Sequence, residues 1–147
     1  SAASDVYKRQ FRYLSKPLEQ QRFFRNMQDA VNLYHTSTLS IPVETKNGVH
    51  AISATDIIVV EATERKVMVY TVQKNYESVR NMAYWLDTLP KSCFFQTHRS
   101  FIVNFEHIVD FDHSTVHLSN PQITAYLTRR KYSSFRNAYL LYLESMR

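Results

Sequence analysis

From Ser40 onward the chain changes period. "SIPVET" (40–45), "VHAIS" (49–53), "DIIVVEA" (56–62) and "KVMVYTV" (66–72) are short apolar or alternating runs, separated by polar turns. Segments this short can bury their side chains only by pairing, so the body of the chain is expected to be mainly β. Lys46-Asn47-Gly48 joins the first two runs, and Asn-Gly supplies the positive φ angles that a hairpin turn favours. Thr63-Glu64-Arg65 joins the next two. Further strands are expected near 101–103, 107–112, 115–119 and 123–128, the last entered through Asn120-Pro121.

Two helices interrupt or close this pattern. Residues 77–89 place Val79, Met82, Ala83 and Leu86 on one face, extended by Leu89, and Pro90 ends the run. Residues 132–145 carry Phe135, Ala138, Tyr139 and Tyr142 at helical spacing. An earlier helix is expected over 18–34, where Phe23, Met27, Ala30 and Tyr34 recur at steps of three and four behind Pro17. The polar stretch "HTSTLS" (35–40) separates it from the β body, with the linker at 36–39.

Glycine usage excludes several enzyme classes. A chain of 147 residues ordinarily carries roughly ten glycines, whereas this one has only Gly48. Loops of the GxGxxG or GxxxxGK[ST] type, which cradle phosphates on glycine backbone, are therefore absent. The apolar share of 44% supports a packed core rather than disorder. No apolar run approaches roughly 18 residues, so no membrane span is expected, and no secretory leader is read at the polar start. A single cysteine, Cys93, allows no internal disulfide, which fits a reducing cytoplasm.

The candidate chemistry is sparse. His113 and His117 are four apart, but in hairpin territory that spacing does not converge on a metal as it would on a helix. Cys93 and His98 lack a third, orienting group and an oxyanion hole, so no enzyme is expected; Cys93 beside Phe94-Phe95 reads as a small buried hydrophobe. Phe101, Phe105, Tyr126 and Trp85 could form a stacking platform, but each falls on a face expected to be core. The net charge of +5 is concentrated at the front: residues 1–34 hold six basic and three acidic side chains, residues 35–147 twelve and ten. Bulk charge therefore argues weakly for a polyanion, and three local clusters must carry the argument: Arg65-Lys66, His98-Arg99 and Arg129-Arg130-Lys131. All three are expected at strand ends. They are either solvated loops or a convergent rim, and the arginine fork suits both phosphate oxygens and the guanine edge.

Residues 40–147 resemble the LytTR family of bacterial DNA-binding domains. "FFQTHRSFIVNFEHIVDF" (94–111) is similar to the family's most characteristic stretch, around HRSYIVN. "DIIVVEATERKVMVYT" (56–71) looks like its opening strands, and "ITAYLTRRKYSSFR" (123–136) like its closing strand, arginine pair and helix. The resemblance implies an elongated module of small packed β-sheets with one internal helix and a C-terminal helix, whose loops enter successive major grooves. It implies DNA contacts at Arg99, at Arg65 or Lys66, and at Arg129-Arg130. On that basis Arg99 and Arg130 are expected to read base edges, while Lys66, Arg129 and Lys131 neutralise phosphates. His98 either bonds a phosphate or orients the loop, with the second favoured, and Asn104 is expected to satisfy backbone groups where the strand turns. The implied partner is double-stranded DNA, bound by a dimer on repeated half-sites, with no cofactor. A protein-interaction module or a single-stranded nucleic-acid binder using the same loops stays open as an alternative.

The front of the chain carries a weaker likeness. "FRYLSKPLEQQRFFRNMQDAV" (11–31) resembles the last strand and α-helix of a response-regulator receiver domain, so that residues 11–35 form a remnant. Lys16-Pro17 matches the family's phosphoryl-contacting lysine and its proline, and Tyr13 matches the switch aromatic. The acceptor aspartate and acidic pocket are not in this sequence, so a sensor histidine kinase is implied as partner of a full-length protein only. "DVYKRQ" (5–10) matches the translation of GAT GTG TAT AAG AGA CAG, the end of a transposon adapter used in sequencing libraries. Residues 1–10 are accordingly expected to be non-native.

Overall fold

The structure, a computed structural model, describes residues 39–147. The expected receiver remnant, its Tyr13 and Lys16, the 18–34 helix and the adapter-derived residues lie outside the described residues.

Ten strands form three antiparallel sheets. β1 (Ser40–Thr45) and β2 (Gly48–Ser53) make a hairpin. β3 (Ile57–Ala62), β4 (Val67–Thr71), β5 (Asn75–Ser78), β6 (Phe94–His98) and β7 (Phe101–Asn104) form a five-stranded sheet in the order β5-β4-β3-β7-β6. β8 (Ile108–Phe111), β9 (Thr115–Leu118) and β10 (Thr124–Tyr126) form the third. α1 (Met82–Thr88) lies between β5 and β6, and α2 (Tyr132–Ser145) closes the chain. The mainly β architecture with one internal and one C-terminal helix is thus the one expected.

The five-stranded sheet is buried on both faces, and its strands read accordingly. Ile57, Ile58, Val59 and Val60 are all buried, a continuous apolar run rather than an alternating one. Val60, Val69 and Ile102 face Ile41 and Val43 of the first hairpin, Trp85 of α1 and Leu89 just after it. Val59, Phe101 and Val103 face Val116, Leu118 and Ala125 of the third sheet and Phe135 of α2. A bulge at Ile58 places Ile58 and Val59 in the same cluster, which shifts the strand's register against β4. Phe135, fully buried, is ringed by Phe111 at 5.0 Å, Phe95 at 5.4 Å and Phe105 at 5.9 Å between centroids.

Several expectations are corrected. Residues 75–78 are strand, so the helix expected over 77–89 does not start at 77: Tyr76 and Ser78 point inward while Asn75 and Glu77 are exposed, a period of two. The helix starts only after Asn81, whose side chain accepts the Tyr84 N–H at 3.0 Å. Its core face is Trp85, whose Nε1–H donates to Ser78 Oγ at 3.0 Å, whereas Val79 and Ala83 are exposed. Phe94–His98 is a strand that the sequence reading left out, because Phe94 and Phe95 serve opposite clusters and show no alternation. In the first hairpin the two-residue loop is Lys46-Asn47; Gly48 alone has positive φ, at 136°, and already pairs with Thr45. Tyr126 is 57% exposed, not core, while Trp85, Phe101 and Phe105 are buried.

One buried amide ties these layers together. Asn104, at the end of β7, donates from Nδ2 to Ile57 O at 2.8 Å and Ala54 O at 3.2 Å, and accepts the Glu106 N–H at 3.0 Å. It therefore satisfies backbone groups at two 3-10 turns, Ala54–Asp56 and Phe105–His107, as expected of it. Asn104→Ala should cost about 2–4 kcal/mol, since it strands buried carbonyls without partners. Chemical denaturation would show a lower midpoint at unchanged slope, and an unchanged midpoint would refute the role.

Candidate nucleic-acid interface

The three basic clusters lie on connections at one end of the five-stranded sheet. β3 and β7 pair antiparallel with Glu61 opposite Phe101, so the turn leaving β3 and the turn entering β7 emerge side by side. Ala62 N–H donates to Ser100 O at 2.8 Å and fastens them. Arg65 and Lys66 are exposed in the β3–β4 turn, which the Thr63 N–H closes onto Lys66 O at 2.8 Å.

Arg99 and Ser100 are the two-residue connection between β6 and β7, with His98 opposite Phe101. No non-glycine residue among those described has positive φ, so this connection lacks the left-handed conformations that two-residue hairpins favour. Two features hold it instead. A bulge at Thr97 interrupts the β6 register just before the turn. His98 Nδ1 accepts the Ser100 N–H at 3.0 Å, which places the neutral ring's proton on Nε2. The His98 ring also packs against Phe101 and Tyr126, at 6.0 and 6.1 Å between centroids. His98 is thus bonded to the turn, and Arg99 beside it is exposed.

The third cluster is brought alongside by β10. Thr128 N–H donates to Thr97 O at 3.1 Å, stitching the exit of β10 to β6. Arg129–Lys131 then form a 3-10 turn leading into α2, which Phe135 anchors in the core. Arg129 and Arg130 are exposed. Lys131 is not: its ammonium donates to Gln96 O at 3.1 Å and to Gln96 Oε1 at 3.3 Å. Partial burial, and then the neighbouring Arg130, push its pKa down from the ordinary lysine value.

His98, Arg99, Arg130 and Lys131 line one open cleft of about 310 Å³, together with Gln96 and Thr128. Arg65, Lys66 and Arg129 do not line that cleft. Among the described residues the ion pairs are Arg80–Glu44 and His117–Asp110, so none of the rim arginines is matched by a carboxylate there. Sequence reasoning missed Gln96, Thr128 and Tyr126. For Tyr126 the signal was present: Ala125 and Leu127 are buried, so strand alternation turns the tyrosine outward.

The other candidates have separate places. His113 stacks on Tyr132 at 4.3 Å and His117 binds Asp110, so the two do not converge. Cys93 is buried, and burial, then Glu106, raises its thiol to about 12, far from a thiolate nucleophile at neutral pH.

A β module that presents arginines without carboxylate partners on braced strand-end loops carries local positive charge suited to attracting an anion. Residues 47–139 match the LytTr DNA-binding domain family, and the chain belongs to it. It is 32% identical over 73 residues to the sensory transduction protein LytR of Staphylococcus epidermidis, covering 50% of this chain and 29% of that protein. It is 26% identical over 134 residues to the transcriptional regulatory protein NatR of Bacillus subtilis, covering 86% of this chain and 58% of that protein. A solved LytTr DNA-binding domain from Bacillus cereus matches with a TM-score of 0.58 at 25% identity, over 67% of this chain and 94% of that one.

Two tests follow from the bracing. His98→Phe keeps the ring packing but removes the acceptor for Ser100 N–H. Hydrogen exchange at Ser100 should accelerate roughly 5-fold, the equivalent of about 1 kcal/mol, and an unchanged rate would remove the brace. The second concerns Asp112, whose carboxylate accepts the Ser114 and Thr115 N–H groups, while Ser114 O receives the Leu127 N–H on the way to the basic turn. Those backbone bonds hold its pKa down at about 2. A lowered folded pKa stabilises above the unfolded value of about 4. That share of stability should fade as pH falls from about 4 toward 2, and a urea titration of Asp112→Asn should lack this component.

Proposed function

We propose that the rim binds double-stranded DNA sequence-specifically and that the chain is the output part of a two-component transcriptional regulator. The observation that carries this is the cleft in which His98, Arg99, Arg130 and Lys131 meet, with exposed guanidiniums that no carboxylate among the described residues neutralises. Arg99 and Arg130 are assigned to base edges, because the arginine fork matches the guanine O6/N7 pair and both sit on braced turns. Lys66 and Arg129, outside the cleft, are assigned to flanking phosphates, and Arg65 to either role. Lys131 is better suited to holding Gln96 and the two loops together than to a phosphate. His98 acts as the support of Arg99.

Two observations favour duplex over single strands. Trp85, Phe101 and Phe105 are buried, which leaves Tyr126 as the one exposed member of the four candidate aromatics, too few for a stacking platform. Second, the basic side chains come from three separate turns, two of which meet at one short cleft, rather than from an extended groove that would track a single strand. Binding as a dimer on repeated half-sites, activation of the full-length protein by a sensor histidine kinase, and action in the cytoplasm complete the proposal. Among the described residues, no helix is long and apolar enough to cross a membrane.

A duplex-library selection on residues 38–147 supplies the specific site for two tests. Arg99→Ala should lose about 1–3 kcal/mol on that site and much less on a scrambled duplex; equal losses on both would make Arg99 a phosphate clamp. Lys66→Ala should weaken both duplexes alike and lower the salt slope by about 1.

A further inference from the structure

A second cleft, of about 360 Å³, shares Gln96 with the cleft at the basic rim. Its lining comes from α1 (Trp85, Leu86) and the following Leu89, from the start of β6, from Ile102 of β7 and from Ala138 of α2. The cleft falls in the range of small-molecule sites and is lined mostly by apolar side chains, as such sites are. Ala138 is the one residue of α2 in the lining, so a larger side chain there would take up part of the cleft.

Two polar residues line this apolar space. Lys91 is exposed at its edge, and its ammonium makes no hydrogen bond or ion pair among the described residues. Gln96 lines both clefts: its side-chain and backbone oxygens hold Lys131 on the DNA side, and its chain also borders the apolar space. An apolar cavity with one unmatched cation is complementary to an apolar body carrying one negative charge.

We infer that this cleft binds a small amphipathic anion, an aliphatic or aryl carboxylate, and that its occupancy is felt at the rim through Gln96. The carboxylate pairs with Lys91 while the apolar part lies against Leu86, Phe95 and Ala138, the partly exposed members of the lining. A ligand against Gln96 changes the setting of Lys131, and with it the arginine turns that Lys131 joins. This second step rests on the DNA-binding reading, whereas the first does not.

The chain has a single tryptophan, Trp85, so its indole N–H resonance reports the cleft without ambiguity. Octanoate and 1-octanol are the probes, differing only in the charged head. Octanoate should shift the indole signal saturably and bind at least threefold tighter than octanol. Lys91→Glu, a surface change that leaves the fold alone, should weaken octanoate at least tenfold and octanol less than twofold. Ala138→Phe, checked for an unchanged melting profile, should abolish both. Saturating octanoate should alter the affinity for the selected duplex at least threefold in the wild type and not in Lys91→Glu. An indole signal that does not saturate, or equal octanoate binding by wild type and Lys91→Glu, would overturn the site. Saturable binding with unchanged duplex affinity would overturn its link to the rim. Duplex affinity without octanoate is read separately, so failure of the DNA-binding proposal is not confused with failure of the cleft.

Discussion

Burial of the five-stranded sheet on both faces is the constraint from which the rest of the domain follows. With one covering layer alone, the face that carries Val59, Phe101 and Val103 would stand open to water. The first hairpin and α1 cover one face, and the third sheet with α2 covers the other. With both faces closed, strand register is fixed, because a one-residue slip would exchange the two clusters wholesale. The ends of the strands are then the places left to carry polar groups toward a partner.

That rigidity explains how so few residues can form an interface. Arg65-Lys66, Arg99 and Arg129-Arg130 belong to three different connections, yet each connection is fastened to the next by a backbone hydrogen bond: Ala62 to Ser100, and Thr128 to Thr97. The loops therefore keep their spacing without side-chain contacts between the arginines themselves, whose mutual repulsion a polyanion relieves. His98 and Lys131 are the side chains that reinforce this frame, one within a turn and one between the 3-10 turn and β6. Positioning of this kind lowers the ordering cost when a ligand binds.

How far the sequence could be read depended on whether a residue serves one face or two. Alternating or uniformly apolar runs such as 41–43 and 57–62 announce strands, and Phe135 announces the buried side of α2. Phe94-Phe95 gave no such sign, since adjacent side chains enter opposite clusters and their strand is defined by its partner β7. Residues 75–78 misled for a related reason: their period of two covers four residues, too few to stand against the helical pattern that follows. At the rim, arginine clusters were visible as composition, but Gln96 and Thr128 were not, because their roles arise from neighbours some thirty residues away.

The sequence by itself determined that the body after Ser40 pairs as short strands, that Cys93, Trp85, Phe101 and Phe105 lie inside, and that three basic clusters sit at strand ends. Periodicity and side-chain chemistry are local properties, and they suffice for those statements. Only the tertiary structure decided which clusters meet. It put Arg99 and Arg130 at one cleft and left Arg65, Lys66 and Arg129 around it. It also turned Lys131 inward onto Gln96 and Tyr126 outward over His98. Those outcomes depend on strand order and register, which are fixed by the packing of both faces together and by no single segment.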